Sequence, residues 1–271
     1  MPLPSSGQIT IDQIHIEAGG SSASQAAIND ADIRDMIAKG SGAQNAFNEY
    51  YGVSATAPVA TYKGRTLTTG NGFPTGNVTL SSGSKLVVVT CQLAGGGNTY
   101  VNVGGVSATL AAKMDTAPTG GVWGAGLTSA VYYLVTSASG STQITGNGGS
   151  GRSVTHVWEI TGYNSSTPTA TATAQNTDNT SFSKTISLST QYNGVTIGSG
   201  ITEDTNPAAS VTVSNSDTIQ QIDLESATNH FCWDDEGTAS GTTSYNCVQN
   251  NPASNIVAGS AIMQLSAAHW K

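Results

Sequence analysis

The densest run of chemically capable side chains lies between His230 and Glu236, where the sequence is His-Phe-Cys-Trp-Asp-Asp-Glu. Residues 203–236 contain eight acidic residues and no Lys or Arg, so this region carries a local negative charge. Carboxylate oxygens are ligands that Ca²⁺ prefers, and Glu203 and Asp204 upstream add to the supply. The order of the acids does not match an EF-hand loop. A solvated acidic loop is therefore favoured over a calcium site, and no metal or cofactor is predicted.

Trp233, beside Asp234 and Asp235, is the strongest candidate for a contact with a glycan. An indole ring can stack on a sugar ring while neighbouring carboxylates accept its hydroxyl hydrogens, although a Trp more often belongs to a core. The paired carboxylates of a glycosidase are a second interpretation of the same acids. Adjacent side chains on a strand point to opposite faces, however, so hydrolysis is not predicted.

Other catalytic signatures are weak. The segment Gly146–Gly151 matches G-x-G-x-x-G, but a dinucleotide site needs a helix after the glycines. The following segment, 153–160, is β-branched and aromatic, which predicts a hairpin loop instead. There is no G-x-S-x-G motif, and the four histidines are scattered along the chain: His15, His156, His230 and His269. We therefore predict that the protein is not an enzyme.

Charge and apolar content narrow the classes of partner. The net charge is −8 and the nine Lys and Arg residues do not cluster, so nucleic acid is not an expected partner. Apolar runs such as Leu86–Val89 are too short to span a bilayer, and the N-terminus does not resemble a secretion signal. Three cysteines make an odd number. Cys232 and Cys247 would pair only under oxidising conditions, and three small buried thiols are the favoured alternative.

The sequence pattern of the secondary-structure elements that position these residues changes near residue 55. From there on, stretches rich in Val, Thr, Ile and Tyr alternate with Gly, Asn, Ser and Pro, which predicts many short antiparallel strands. The predicted strands are Val59–Leu67, Asn77–Leu80, Lys85–Leu93, Tyr100–Val103, Ser107–Ala112, Thr128–Thr136, Ser141–Thr145, Ser153–Ile160, Thr169–Ala174, Thr180–Leu188, Gly194–Gly200, Ser210–Val213, Thr218–Leu224 and Ile256–Leu265. We expect an all-β fold, an antiparallel β-sandwich or jelly roll, with residues 58–271 as one outer domain.

Two of these strand pairs resemble each other. Val78–Ser82 precedes Leu86–Val89, and Ile186–Thr190 precedes Gly194–Ile197, at a separation of about 108 residues. In both, a polar strand and a short turn lead to an apolar strand. The likeness suits a two-sheet sandwich in which each half contributes a similar hairpin.

Residues 1–54 form a distinct segment that holds six of the seventeen acidic residues. Apolar spacing predicts one short amphipathic helix over Ser24–Lys39, with Asn29 or Asp30 as the N-cap and Gly40 at its end. The flanking pieces are predicted to be short extended or capping segments: Ile9–Ile11 and Phe47–Tyr51.

This N-terminal segment resembles a module of tailed-bacteriophage virion proteins. Its opening block, Leu3–Ile11, carries Leu-Pro-Ser-Ser-Gly followed by Ile-Thr-Ile, and Ile14–Gly19 follows. Its closing block, Phe47–Gly52, ends in Tyr-Tyr-Gly. The blocks occur in the order that the module requires. His15-Ile16-Glu17 departs from the usual middle of the module.

The remainder is similar to the Gly/Ser/Thr-rich β-sandwich domains that such phage proteins carry outward, as in Val101–Leu110, Val131–Val135 and His156–Gly162. The resemblance implies a virion structural protein, assembled in the host cytoplasm: a tail-fibre, tail-tip or neck-appendage component involved in host attachment. A capsid decoration protein and a carbohydrate-binding module without activity are the alternatives. Implied partners are other virion proteins and a host-surface glycan, and closed homo-oligomers are the default, with a trimer suited to a fibre.

The N-terminal segment is small for an independent core. We therefore expect its apolar side chains to bury against another virion protein or another copy, which would anchor the chain to the particle. The candidate anchoring residues are Ile9, Ile11, Ile14, Ile16, Ile33, Met36, Ile37, Phe47, Tyr50 and Tyr51.

Overall fold

The computed structural model of the chain describes residues 3–18, 22–30, 33–34, 36–37, 39, 42–51, 57–94, 97, 100–115, 126–148, 151, 153–176, 182–191, 193–203, 210–224, 228–238, 241–250 and 263–271. The helical elements are the α-helix α1 (Ile11–Glu17) and a 3-10 helix (Phe47–Tyr50). No helix within these described residues is long and apolar enough to cross a membrane.

Two consecutive sets of strands follow the N-terminal segment. The first set is β1 (Val59–Thr68), β2 (Gly76–Leu80), β3 (Lys85–Ala94), β4 (Val101–Val103), β5 (Val106–Ser107), β6 (Thr109–Asp115), β7 (Leu127–Thr136), β8 (Gly140–Gly146) and β9 (Ser153–Thr161). The second set is β10 (Ala170–Asn176), β11 (Ser183–Thr190), β12 (Gly194–Glu203), β13 (Ser210–Val213), β14 (Thr218–Leu224), β15 (Thr228–Thr238), β16 (Gly241–Asn250) and β17 (Met263–Trp270).

These strands form four sheets in which the paired strands run antiparallel. Inner sheet 1 has the order β1-β9-β3-β7-β6, and outer sheet 1 has the order β2-β8-β4-β5. Inner sheet 2 has the order β10-β17-β12-β15-β14, and outer sheet 2 has the order β11-β16-β13. The all-β, antiparallel fold class is confirmed, whereas the jelly-roll arrangement stays a prediction.

Buried side chains show how the sheets stack. Val87, Val89 and Tyr132 of inner sheet 1 pack against outer sheet 1 to form the first core. Phe231 and Trp233 of inner sheet 2 pack against outer sheet 2 to form the second core. The two inner sheets also face each other, and their contact, the central interface, has an apolar part formed by these side chains: Leu86, Val88, Val131, Trp158, Ile160, Val195, Ile197, Cys232, Ala268 and Trp270. The result is two sandwiches stacked through their inner sheets.

The two sandwiches share one topology. In the inner sheets, β1, β9, β3, β7 and β6 correspond in order to β10, β17, β12, β15 and β14. In the outer sheets, β2, β8 and β4 correspond to β11, β16 and β13. The sequence likeness at a separation of about 108 residues falls on β2–β3 and β11–β12, so it marks corresponding strands of two sandwiches, not two hairpins of one sandwich.

At corresponding positions of the two sandwiches, paired residues differ in side-chain size. Val89 pairs with Tyr132 between β3 and β7, and the corresponding pair between β12 and β15 is Gly198 and Trp233. A Cβ atom on Gly198 would lie 2.0 Å from Cε2 of Trp233, so only glycine leaves room for the indole. The large ring in one copy thus occupies space that a valine side chain fills in the other.

The N-terminal segment has its own core, whose buried members all lie between residues 3 and 51. Helix α1 begins with a capping box, in which the Thr10 side chain accepts from the Gln13 backbone amide and the Gln13 side chain accepts from that of Thr10. This helix was not predicted, because Ile9–Ile11 was interpreted as a short extended or capping segment that flanks a later helix; its Thr10 caps α1 instead. Within the predicted helix over 24–39, Ile33 and Arg34 are helical, and several neighbours lie outside the described residues.

Candidate functional site

Strand β15 sends alternate side chains into two different cores. Phe231 and Trp233 face the second core, whereas Cys232 faces the central interface. The Trp233 indole is 0% exposed, stacks on Phe231 at a centroid distance of 6.1 Å and lies 5.9 Å from the Tyr245 ring. This burial contradicts the expectation that Trp233 stacks on a sugar. Its polar neighbours gave no sign of this: Asp234 occupies the alternate position, and Asp235 lies on the same face as Trp233 but bonds to Tyr245.

The acids beside Trp233 are engaged in hydrogen bonds within the fold. The Asp234 carboxylate is buried, accepts from the Thr218 hydroxyl on the neighbouring strand, and has its pKa raised by burial to about 6. The Asp235 carboxylate accepts from the Tyr245 hydroxyl at 2.7 Å, and burial raises its pKa as well. Both predicted glycan contacts are thus committed to the protein's own side chains.

Glu236 joins the two sandwiches at one end of the central interface. Its carboxylate accepts from the Ala60 backbone amide on β1, and its own amide donates to Asp217 Oδ2 at 2.6 Å. Glu203 is described by its backbone alone, and Asp204 lies outside the described residues. Among the residues that the structure does describe, no group of three or more His, Cys, Asp and Glu side chains is placed to hold a metal ion.

The glycine-rich segment connects sheets and does not open a helix. Strand β8 ends at Gly146 in outer sheet 1, and β9 begins at Ser153 in inner sheet 1. Residues 149–150 and 152 lie outside the described part of the chain. The segment differs from the predicted hairpin loop, because β8 and β9 pair with other strands and belong to opposite sheets of the first sandwich.

The three cysteines are free and buried, and they are distributed over three cores. Cys91 lies in the first core, Cys232 in the central interface and Cys247 in the second core. Burial raises the pKa of each thiol, which keeps the sulfur protonated and unreactive. The favoured prediction of three small buried thiols agrees with this arrangement, and Cys232 and Cys247 do not form a disulfide.

One side of the central interface is polar and closely packed. The Ser129 hydroxyl lies 2.9 Å from the Ser266 hydroxyl and donates to the Ser199 carbonyl oxygen at 2.9 Å. The Gln92 side-chain amide donates to the Ser199 hydroxyl at 2.8 Å. These bonds join β3 and β7 of one sandwich to β12 and β17 of the other. Sequence alone did not indicate them, because the stacking of the sheets brings together residues that are 70 to 137 positions apart.

Two buried histidines lie on the other side of the same interface. His156 on β9 and His230 on β15 are both 0% exposed. The His156 Nδ1 atom lies 3.0 Å from the Tyr62 hydroxyl. The His230 Nδ1 atom lies 3.2 Å from the Gln92 carbonyl oxygen, and its Nε2 atom lies 2.9 Å from the Thr228 hydroxyl. The four histidines are scattered along the sequence, so the juxtaposition of His156 and His230 was not predicted.

The candidate anchoring residues divide by exposure. Those that are buried in the segment's own core are Ile9, Ile14, Ile33, Met36 and Tyr50, and those that are partly buried against it are Ile11, Ile37 and Tyr51. The expectation that these side chains bury against another protein is wrong for the first group, because they fill the core of their own segment. Ile16 is 45% exposed and Phe47 is 43% exposed. Among the described candidate anchoring residues, these two are the ones that present large apolar surface to a partner.

The geometry therefore offers a compact N-terminal unit with two exposed apolar side chains, and a stacked pair of sandwiches with a partly polar joint. Comparison with protein-family models, curated proteins and solved structures finds no match.

Proposed function

We propose that the chain is a structural protein of a tailed-bacteriophage particle, in which residues 1–54 dock to the particle and the stacked sandwiches face outward and take part in host attachment. The proposal makes the protein a scaffold and an adhesin component, not an enzyme. Its partners are another virion protein on one side and a host-surface glycan on the other.

The observation that carries the proposal is the contact between the two blocks on which the resemblance rests. The Tyr51 hydroxyl donates to the Gly7 carbonyl oxygen, which ties the closing block to the opening block. Leu3 and Tyr50 are both buried in the same core. The two blocks lie far apart in sequence but contact each other in one compact unit. Such contact is expected if residues 1–54 act as a structural module.

Further contacts stabilise this unit from within. The Lys39 ammonium group contacts the Glu49 carboxylate, and it donates to the Gln44 carbonyl oxygen at 2.6 Å. The Asn45 side-chain amide donates to the Ile28 carbonyl oxygen at 2.8 Å. A unit that is held together in this way can present Ile16 and Phe47 to a partner without unfolding. Large exposed apolar side chains are frequent at protein interfaces.

The outer sheets support the outward orientation of the sandwiches. Most of their solvent-facing side chains are polar and uncharged, although Val106 on β5 is an exposed apolar exception. The polar ones include Asn77, Thr79, Ser141, Gln143, Thr185, Ser187, Ser189, Ser210, Thr212, Thr242, Ser244 and Asn246. Cross-strand bonds such as that between the Ser187 and Ser244 hydroxyls, 2.8 Å apart, order this surface. Hydroxyl and amide groups are hydrated well at any pH, which suits a protein that works outside the cell and contacts neutral glycans.

The test is incorporation of variants into particles. A phage that lacks its own copy of the gene is complemented with the double variant Ile16→Asp/Phe47→Asp, and purified particles are analysed by mass spectrometry. A matched control is Val106→Asp/Leu110→Asp, because those side chains are 55% and 46% exposed on the first sandwich. We expect the control to be incorporated and the N-terminal variant to be lost.

Equal incorporation of both variants, or absence of the wild-type protein from purified particles, would contradict the proposal. Gold-labelled antibodies against residues 58–271 then locate the protein. Label at the tail or neck supports attachment, whereas label over the whole shell favours capsid decoration. Binding to a host polysaccharide by a protein that is absent from particles would favour an independent carbohydrate-binding module.

A further inference from the structure

The two sides of the central interface hold corresponding positions of the duplicated fold. The register that matches Val89 of β3 with Gly198 of β12 also matches Gln92 with Ile201. Gln92 pairs with Ser129 and Ile201 pairs with His230, so Ser129 in the first sandwich corresponds to His230 in the second. By the same reasoning Ser266 corresponds to His156, since these residues pair with Ser199 and Thr90. One side of the interface is thus closed by two serines, and the matching side is occupied by two imidazoles.

The hydrogen bonds around His230 suit a neutral ring. An imidazole that donates from Nδ1 to the Gln92 carbonyl oxygen has a lone pair on Nε2, which accepts from the Thr228 hydroxyl. Protonation would place a hydrogen on both nitrogen atoms. The Thr228 hydroxyl would have to turn, and the added charge would remain buried.

His156 is still less suited to carry a charge. Its Nδ1 atom contacts the Tyr62 hydroxyl, whereas its buried Nε2 atom has no hydrogen-bond partner within the described residues. In the imidazolium form both nitrogens are donors, so Nε2 would hold an N–H group without an acceptor in a site from which water is excluded. A neutral ring that carries its hydrogen on Nδ1 and donates it to the Tyr62 hydroxyl avoids this cost.

No acidic side chain compensates the pair among the residues that the structure describes around it. From β1 the ring of His156 meets Tyr62, and the positive charge of Arg65 acts on it. From β15 the titratable neighbours are Cys232 and, four residues from His230, Asp234, whose carboxylate is bonded to Thr218. The facing side chains Thr90, Gln92 and Ser199 are neutral. Charge on either histidine also acts on the other, and burial lowers the pKa of both.

We propose that this side of the central interface is an acid-sensitive joint: protonation of His156 and His230 separates the two sandwiches there, while each sandwich keeps its own core. The neutral rings fit the closed interface, and the charged rings are stable only when water reaches them. Opening is therefore coupled to the uptake of protons. The Ser129 and Ser266 side has no titratable group in the pair and stays closed, so it acts as the hinge side of the joint.

The three cysteines provide one reporter for each core. Cys91 reports on the first core, Cys232 on the central interface beside the histidines, and Cys247 on the second core. The full-length protein is treated with 4,4′-dithiodipyridine, which reacts with thiols in mild acid, at pH 7.5 and at pH 5. The extent of modification at each cysteine is followed by mass spectrometry. Ratios between cysteines cancel the effect of pH on the reagent.

We expect modification of Cys232, relative to Cys91 and Cys247, to accelerate at pH 5 by about tenfold or more, because an exposed histidine has a pKa of about 6.5 and is then mostly protonated. The double variant His156→Gln/His230→Gln should lose this acceleration, since Gln keeps hydrogen-bonding groups without titrating. His269→Gln is the matched control, because His269 is a buried histidine on the opposite face of β17 and should leave the acceleration intact.

Parallel acceleration of all three cysteines would overturn the proposal, because it would mean that the chain opens as a whole. Acceleration of Cys232 that persists in the double variant would overturn it too. If the double variant does not fold, the single variants His156→Gln and His230→Gln, together with the wild-type ratios, decide between the same outcomes.

Discussion

Replacement of Gly198 tests the packing that distinguishes the second sandwich from the first. The Cβ atom of Gly198→Ala would meet Trp233 Cε2 at 2.0 Å and Cζ2 at 2.1 Å. Ordinary carbon contacts lie at about 3.5–4.0 Å, so the indole would have to move by roughly 1.5 Å. The ring has no open side, because Phe231 and Tyr245 pack against it. Overpacking of this kind costs about 1–3 kcal/mol, and we expect the upper end of that range.

The first sandwich indicates how the loss can be reversed. It holds Val89 and Tyr132 at the positions of Gly198 and Trp233, so the double variant Gly198→Val/Trp233→Tyr reproduces that pair inside the second sandwich. Each single change should destabilise the protein by about 2–3 kcal/mol, the valine by overpacking and the tyrosine by leaving a cavity. The double variant should recover most of the loss.

The assay is urea unfolding followed by circular dichroism for the wild type, the two single variants and the double variant. A coupling energy of about 2 kcal/mol or more between positions 198 and 233 is expected. Gly70→Ala is the control, because a Cβ there meets nothing within 4 Å. Additive effects, with a double variant less stable than either single variant, would refute the correspondence of the two pairs.

Three further outcomes follow from local features. Burial lowers the pKa of three histidines: His156, His230 and His269. The stability that they contribute is therefore present above about pH 6.5 and is lost as the pH falls. The free energy of unfolding, measured with a chemical denaturant, should be lower at pH 5 than at pH 7.5 by about 2 kcal/mol for each ring. Asp234 offsets part of this, since its raised pKa means that it stabilises the fold as the pH falls through about 6; a stability that rises on acidification would contradict the balance. Thr10→Ala removes the capping box with Gln13 and should cost about 1 kcal/mol, visible as faster amide exchange in α1, whereas unchanged exchange would argue against the cap. Tyr51→Phe removes the bond to Gly7 and should destabilise the N-terminal segment by about 1 kcal/mol in thermal unfolding, and an unchanged melting temperature would argue against this bond.

Much of the strand pattern was predictable from the sequence, for a definite reason. The predicted strand Lys85–Leu93 and the observed Lys85–Ala94 nearly coincide, because the strand is buried on both faces and forms an unbroken apolar and β-branched run between turns. Strand β17 was located less well, since its Gln264, Ser266 and His269 disguise a strand whose residues are all buried. Ser266 is accommodated there by a bond to Ser129 across the central interface, whereas His269 bonds to Thr196 within the second sandwich.

Helix α1 shows a signal that was present but not used. Thr10 and Gln13 have the spacing of a capping box, which indicates a helix start even where Ile9 and Ile11 alternate like a strand. The histidine pair, in contrast, could not be found from sequence, because its two members meet only through the stacking of two sheets. The burial of Trp233 likewise depends on Gly198, which lies 35 positions earlier in the sequence.

The duplicated topology has a consequence for how the chain reaches its native state. A polypeptide that contains two copies of one strand order risks inserting a strand into the wrong copy while it folds. Here a wrongly placed β15 would bring the Trp233 indole against Val89, and a wrongly placed β7 would leave the Tyr132 ring over the bare backbone of Gly198. The first exchange is overpacked and the second leaves a void, so both are penalised before either sandwich is complete. The divergence that hides the duplication in the sequence also keeps the two copies from exchanging strands.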